Sequence, residues 1–442
     1  MKKLFFAIFI LFFLSASSET ILNREMKMYI LDNGLQVIMI KTGSEPIMTV
    51  EIAVRNGAYT QTEENEGLSH LYEHMFFKGN GKWKTQEAYA KRIRELGILY
   101  NGMTSNESVR YYYTLPSKNM DSGLEFLSYA IKDPLFDSIE LEKEKRVVMN
   151  EFNRDFSEPI YTYYQEVEKA MFSKYFYRKN AIGTREVISN ATREQMVDIK
   201  NRYYTPNNSA LIIVGDIDFA MTEDAVAKYF TDWKKGEDPK FPTVEHPYLE
   251  ENKNVIVKQD VSISSMTIQF RGPDVGRNTE DTYAMDILTE MMRMKSFPLY
   301  KKLVETGLVN SYSAGYYTQQ DGGTFSFYTT LKAENVDRTR EIIFAELEKM
   351  KNKGYFKKDI IKQAKERTEM NFLHELESTE DFALNVGFFW CISDIGYFRE
   401  YLDNLKKVDS DKLAEVVNKY IIGKYHVTGI MTDDASAEKY GF

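Results

Sequence analysis

Two of the chain's five histidines stand four residues apart, in His70-Leu71-Tyr72-Glu73-His74. On a helix, side chains at i and i+4 lie one turn apart on one face, so both imidazoles can reach a single ion. Glu73 flanks that face. There its carboxylate can touch a water held by the ion without being a first choice as ligand. Leu68, Leu71, Met75 and Phe76 surround the motif with apolar side chains, which implies a substantially buried helix. Burial makes idle polar groups costly, so the alternative of two incidental histidines on a surface helix fits poorly.

A catalytic metal of this kind takes three protein ligands and keeps one position open, so a third ligand is needed. Leu141, Glu144, Val148 and Glu151 fall at spacings of three, four and three, one stripe of a helix expected over 138–152. That stripe sets two carboxylates in an otherwise apolar face, and each needs a cation or strong donors there. An ordinary salt bridge to Lys or Arg would also serve. Beside a helix carrying His70 and His74, a shared metal ion is the preferred partner. Thiolate ligation is excluded, because Cys391 is the only cysteine. It lies in the apolar run Val386 to Ile392, which predicts a buried, inert thiol. Two His and one Glu favour zinc, one ion per chain.

At this point the residues resemble the pitrilysin and insulinase metallopeptidases, whose inverted zinc motif is His-x-x-Glu-His and which include mitochondrial processing peptidase. Glu151 stands 77 positions beyond His74, the spacing of that family's third ligand, and Glu144 lies seven residues earlier, where the family has a supporting Glu. Gly67-Leu68-Ser69-His70, Glu73 to Gly79, Asn101 to Ser105, Ile182-Gly183-Thr184 and Tyr203 to Pro206 are similar to further family blocks, spread over nearly the whole mature chain. The resemblance implies a zinc endopeptidase in which His70, His74 and Glu151 hold the metal. Glu73 would be the catalytic base, and Glu144 would orient a ligating histidine. It further implies that Asn101 and Gly102 lie on an edge strand to which an extended peptide substrate adds. Read without the family, the same segment is equally well a plain loop before the Tyr-rich strand.

The family often carries an Arg and a Tyr seven apart in its second half. In the corresponding block, Leu303 to Tyr312, Val304 replaces the Arg, and Tyr312 is the candidate for the Tyr at an altered spacing. In some bacterial relatives the zinc motif and the Arg/Tyr pair sit on different subunits. The resemblance therefore implies either a homodimer or a heterodimer whose partner carries that pair. A non-catalytic scaffold subunit and a peptide-binding protein with structural zinc are the competing classes. A structural zinc would need a fourth protein ligand, and only three are visible.

The elements that must position these residues form one unit used twice. Met48 to Ile52 matches Met266 to Phe270 at an offset of 218, and Asn201-Arg202-Tyr203 matches Asn418-Lys419-Tyr420 at 217. Mixed strands and helices predict an α+β fold of two similar domains, 19–235 and 249–442, joined by a Pro-containing linker at 236–248. Thr85 and Gly97 bracket a helix, and Thr192 with Gln195 has capping-box spacing. The offset of 218 carries His70, Glu73 and His74 onto Leu288, Met291 and Met292, so the second domain cannot bind zinc there.

Lys2 and Lys3 followed by the apolar run Leu4 to Leu14 form a signal segment over 1–18, too short to span a bilayer. Export to the periplasm or medium, without stable membrane insertion, is expected. A length of 442 residues exceeds one compact core. The net charge of −9 argues against a nucleic-acid partner.

Overall fold

The computed structural model describes residues 19–43, 45–241 and 246–442. The expected signal segment and part of the linker lie outside the described residues. In the first half, strands β1 (Glu19–Ile21), β2 (Arg24–Ile30), β3 (Gln36–Lys41), β4 (Ile47–Val54), β5 (Leu99–Thr104), β6 (Val109–Pro116) and β7 (Ser209–Gly215) form one sheet in the order β1-β2-β3-β7-β4-β6-β5. In the second, β8 (Lys253–Lys258), β9 (Ser264–Arg271), β10 (Ser311–Tyr317), β11 (Thr324–Leu331) and β12 (His426–Thr432) form another, in the order β10-β11-β9-β12-β8.

Set side by side, the two sheets share one topology. β8, β12, β9, β11 and β10 take the places of β3, β7, β4, β6 and β5. Only the β3–β7 and β8–β12 pairs are parallel, and both have one register: Gln36 pairs with Ala210 and Lys253 with Val427, 174 positions apart each time. The duplication read from short sequence matches is thus a duplication of the fold.

The helices repeat as well. Between β4 and β5 lie α1 (Leu68–Phe76) and α2 (Gln86–Leu96). After β6 come α3 (Met120–Lys132), α4 (Ser138–Ser157), α5 (Pro159–Met171), α6 (Arg185–Asn190) and α7 (Arg193–Tyr203), and α8 (Phe219–Phe230) follows β7. The second half has α9 (Val275–Arg293) and α10 (Pro298–Leu303) between β9 and β10. Then come α11 (Val336–Met350), α12 (Lys358–His374), α13 (Thr379–Ile392), α14 (Ile395–Lys407) and α15 (Ser410–Tyr420), with α16 (Asp434–Tyr440) after β12. Local signals explain several boundaries. The Thr85 hydroxyl accepts from Ala88 N–H and Gly97 closes α2 in the left-handed region, while Thr192 and Gln195 form a complete capping box on α7.

The alternation of β4 shows how the halves are joined. Met48, Val50, Ile52 and Val54 enter the first core, whereas Ala53 faces the other way with Thr49 and Glu51. Helix α13 of the second half covers that other face, lying over β4 and β7. Its fold counterpart α5 lies over β12 and β8 of the second sheet, with Tyr163, Val167 and Met171 packed on Val427 and Met431. Each half therefore lends one helix to the sheet of the other. A glycine permits each close approach. A Cβ at Gly387 of α13 would meet Glu51 Oε1 at 2.1 Å, and one at Gly429 of β12 would meet Val167 Cγ2 at 2.5 Å. Ile38, Ile40, Ile212 and Val214 of the first sheet are buried in the same core as the second half's helices. Burying each such side chain stabilises by about 1.5–3 kcal/mol, so the two halves hold together tightly. Cys391 is buried on α13, its thiol pushed up to about 12 by burial.

Candidate metal centre

Helix α1 starts at a crossing with no room for side chains. Gly67, its N-cap, has φ 87°, and a Cβ there would meet the Cα of Gly183 at 2.7 Å. Leu68, Leu71, Tyr72, Met75 and Phe76 are buried. Tyr72 stacks on Tyr204 and Phe76 on Tyr111, with ring centroids 3.9 and 3.8 Å apart. These contacts fix the roll of the helix, and they give physical reasons for the Gly67, Gly183 and Tyr203–Pro206 blocks. With that roll, His70 and His74 point toward α4, their rings 4.9 Å apart and nearly perpendicular.

Helix α4 is capped by Asp137, which accepts from the N–H groups of Ile139 and Glu140. Leu141, Glu144 and Val148 are buried on its inner face. One turn beyond Val148, Glu151 Oε2 lies 3.7 Å from His70 Nε2 and 3.5 Å from His74 Nε2. Two ligands each ~2.1 Å from a tetrahedral zinc are separated by ~3.4 Å. The two histidine–carboxylate distances are close to that spacing, all three donor atoms lie within 4.8 Å of one another, and they form the single cluster of this kind among the described residues.

Supporting contacts surround the three. His74 Nδ1 lies 3.2 Å from Glu144 Oε2, and Lys78 Nζ lies 2.8 Å from Glu144 Oε1. The salt bridge considered for the α4 stripe is thus present, at Glu144, alongside the convergence at Glu151. Burial opposes the charge of Glu144, but His74 and Lys78 outweigh it and lower its pKa. Burial and then His74 push His70 down to about 4, which keeps its imidazole neutral and able to ligate. Glu73 is raised by burial, although the Thr104 hydroxyl donates to its Oε2 at 2.6 Å.

Strand β5, carrying Asn101 and Gly102, is the edge of the first sheet and runs past α1. Its backbone comes so near Glu73 that a Cβ at Gly102 would meet Glu73 Cγ at 2.7 Å. Asn101 is exposed, and its side chain accepts from the Gly102 N–H. His70, Glu151 and Thr104 line a cleft of about 460 Å³, together with Tyr161 and Gln165 of α5, Lys179, and Tyr317 of the second half.

Two family models match the chain. The insulinase (peptidase family M16) model matches residues 36–185, and a peptidase M16 inactive-domain model matches 190–368. The chain belongs to peptidase family M16. It is 27% identical over 411 residues to the zinc protease PqqE of Helicobacter pylori, covering 88% of this chain and 89% of that one. To the mitochondrial-processing peptidase beta subunit of Dictyostelium discoideum it is 23% identical over 332 residues, covering 71% and 69%. The fold matches the crystal structure of a Helicobacter pylori protease with a TM-score of 0.83 at 23% identity, covering 92% of this chain and 99% of that one. The second model starts at 190 and so takes in β7 and α8, which the structure builds into the first half.

Tyr312 does not reach the cleft: its ring lies beside Phe327 against the second core, and burial of its hydroxyl raises its pKa. Tyr317, five residues on at the end of the same edge strand, lines the cleft instead. The signal for it was the strand end Gly315-Tyr316-Tyr317, one step beyond the motif. Leu288, Met291 and Met292, the counterparts of His70, Glu73 and His74, are buried apolar residues of α9.

Proposed function

We propose that this chain is a zinc-dependent endopeptidase acting on extended or unfolded peptides. One observation carries the reading: two imidazoles from α1 and a carboxylate from α4 converge at ligand spacing, with Glu73 between them and a free strand edge. His70, His74 and Glu151 would hold a zinc ion, which would supply Lewis acidity to polarise the scissile carbonyl and to acidify a water. Glu73 would take a proton from water and return it to the leaving amine, and its raised pKa favours the first of these transfers. Thr104 holds one Glu73 oxygen in place, which leaves the other for the proton. Glu144 fixes the orientation of His74. The unpaired edge of β5, at Asn101 and Gly102, receives the peptide backbone as an added strand, which favours broad sequence tolerance. Tyr317 closes the cleft from the second half.

The test is zinc content and hydrolysis of an unfolded peptide by the purified chain. Glu73→Gln is expected to retain zinc and lose at least about a hundredfold in rate. Undiminished hydrolysis by that variant would refute the assignment.

Val304, and the burial of Tyr312, favour a second reading, in which a partner subunit supplies an Arg/Tyr pair to a heterodimer. Hydrolysis by the chain alone, as monomer or homodimer, rejects it; hydrolysis only after addition of such a subunit supports it. Intact metal geometry weighs against a purely scaffolding role. The segment 1–18 supports export to the periplasm. Among the described residues no helix is long and apolar enough to cross a membrane.

A further inference from the structure

At the end of the second sheet where α5 stops lies a pocket of about 570 Å³ that shares no residue with the metal cleft. Its volume is that of a small-molecule site. None of its lining residues is acidic, although the chain as a whole carries a net charge of −9. Arg271, Lys419 and Lys424 line it together with Tyr248, Tyr420 and Tyr425.

Arg271, the last residue of β9, is 5% exposed. A buried guanidinium keeps its proton and needs an anion or several good acceptors. Among the described residues Arg271 has neither. Its Nη1 reaches one acceptor, the His246 carbonyl, at the long distance of 3.5 Å, and its Nε is buried without a partner. The carboxylates whose charge it feels are engaged elsewhere: Asp274 and Asp321 pair with Arg277, and Glu168 accepts from Gln269. Arg55, just past β4, shows how this fold satisfies such a group. It lies over Trp390 and donates through Nη2 to the Trp390 and Ser393 carbonyls, each at 3.0 Å. Arg271 likewise lies over aromatic rings, with the centroids of Phe172 and Tyr248 at 5.0 and 5.2 Å, but no such carbonyls meet it.

Further donors flank the same pocket. Asn278 accepts through Oδ1 from Lys419, so its NH₂ is the end left without a partner among the described residues. Asp281 holds Lys419 and the Tyr420 hydroxyl, each at 2.6 Å, and so fixes one wall. Lys424, Tyr248 and Tyr425 are exposed around it. The field here is positive: burial, then Lys179 and Arg271, push His246 down to about 3. One unmatched buried cation calls for one negative charge, its fork matches a planar carboxylate, and the tyrosine rings suit an attached flat ring.

We propose that this pocket binds an aromatic carboxylate, with the acid group on Arg271 and the ring among the tyrosines. Two sources carry that chemistry, a free aromatic acid and the C-terminal Phe or Tyr of a peptide. The inference does not depend on the peptidase reading of the metal site.

The test is isothermal titration calorimetry of the zinc-loaded chain with hydrocinnamate, N-acetylphenylalanine, the amide of N-acetylphenylalanine, and inorganic phosphate. At least one of the two acids is expected to bind at least about tenfold more tightly than the amide and than phosphate. Tighter binding of N-acetylphenylalanine than of hydrocinnamate identifies a peptide C-terminus, and equal or weaker binding identifies a free acid. Arg271→Gln should weaken the preferred acid at least about tenfold. Because Arg271 is buried between rings, Tyr425→Ala at an exposed ring serves as the second variant. It should weaken the same acid about three- to tenfold with an unchanged unfolding midpoint. Acids that bind no better than the amide or phosphate overturn the proposal. Acid binding that is unchanged in both variants also overturns it, because the acid then sits elsewhere, as on the metal.

Discussion

Glu51 sits in the middle of β4, fully buried beneath α13, and neither carboxylate oxygen has a hydrogen-bond partner. Burial raises its pKa from 4.5 to about 8, with Arg110 pulling only partly the other way. The folded chain therefore keeps this proton over a range in which the unfolded chain has released it. Between those two values the unfolded state binds fewer protons, so stability falls as pH rises and the loss is complete only above the folded pKa. At about 1.4 kcal/mol per unit, the cost reaches about 3 kcal/mol at pH 7 and about 5 kcal/mol above pH 9. Glu51→Gln keeps the shape and removes the titration. The duplicated position already carries the amide, Gln269. The variant should match the wild type near pH 4.5, exceed it by up to about 3 kcal/mol at pH 7, and gain further toward pH 9. Denaturant unfolding of chelator-treated protein at those pH values measures the difference without a contribution from metal release. A difference that is flat with pH, or that shrinks toward pH 9, refutes the reasoning.

Two further outcomes follow from the site. Gly183 has φ 75°, and a Cβ there would meet the Glu66 carbonyl oxygen at 2.3 Å. Gly183→Ala should cost at least about 2 kcal/mol in denaturant unfolding and also weaken zinc binding, because the start of α1 must shift. Glu144→Gln should weaken zinc about 10–100-fold in competition with a chromophoric chelator while the far-ultraviolet circular dichroism is unchanged. Unchanged zinc affinity would show that His74 is held without it.

What could be read in the residues and what could not divide along a physical line. The His70–His74 pair, the Glu144–Glu151 stripe, the Thr85 cap and the Thr192 box are local, because helical period and capping put their partners within a few residues. The offsets of 218 and 217 carried the repeat, because core positions of a duplicated sheet keep their residue types. The exchange of α5 and α13 left no such signal. The faces they cover carry Thr49, Glu51, Arg110 and Tyr112 in one half and Thr267 and Gln269 in the other, a pattern that alternation alone assigns to solvent. The packing of each helix buries those side chains, and three of them hydrogen-bond across the seam: Thr49 to Thr379, Tyr112 to Glu380, Gln269 to Glu168. Tyr317 was not legible in the sequence, because it stands five residues beyond Tyr312, outside the spacing of the motif.

The exchange also explains why a metal site drawn wholly from one half needs the other. All three candidate ligands and Glu73 lie on α1 and α4, yet α5, which continues directly from α4, is seated on the second sheet through Tyr163, Val167 and Met171. Glu107, in the loop after β5, accepts the backbone N–H groups of Gln320 and Asp321 at 2.6 and 3.0 Å, which ties the β5–β6 hairpin to the turn that follows Tyr317. The floor of the cleft and its strand edge are thus both anchored in the second half. Residues there that bind no metal, among them Leu288, Met291 and Met292, build the core on which those anchors rest. The half without the histidines is the surface that holds Glu151, Gly102 and Tyr317 in register with one another.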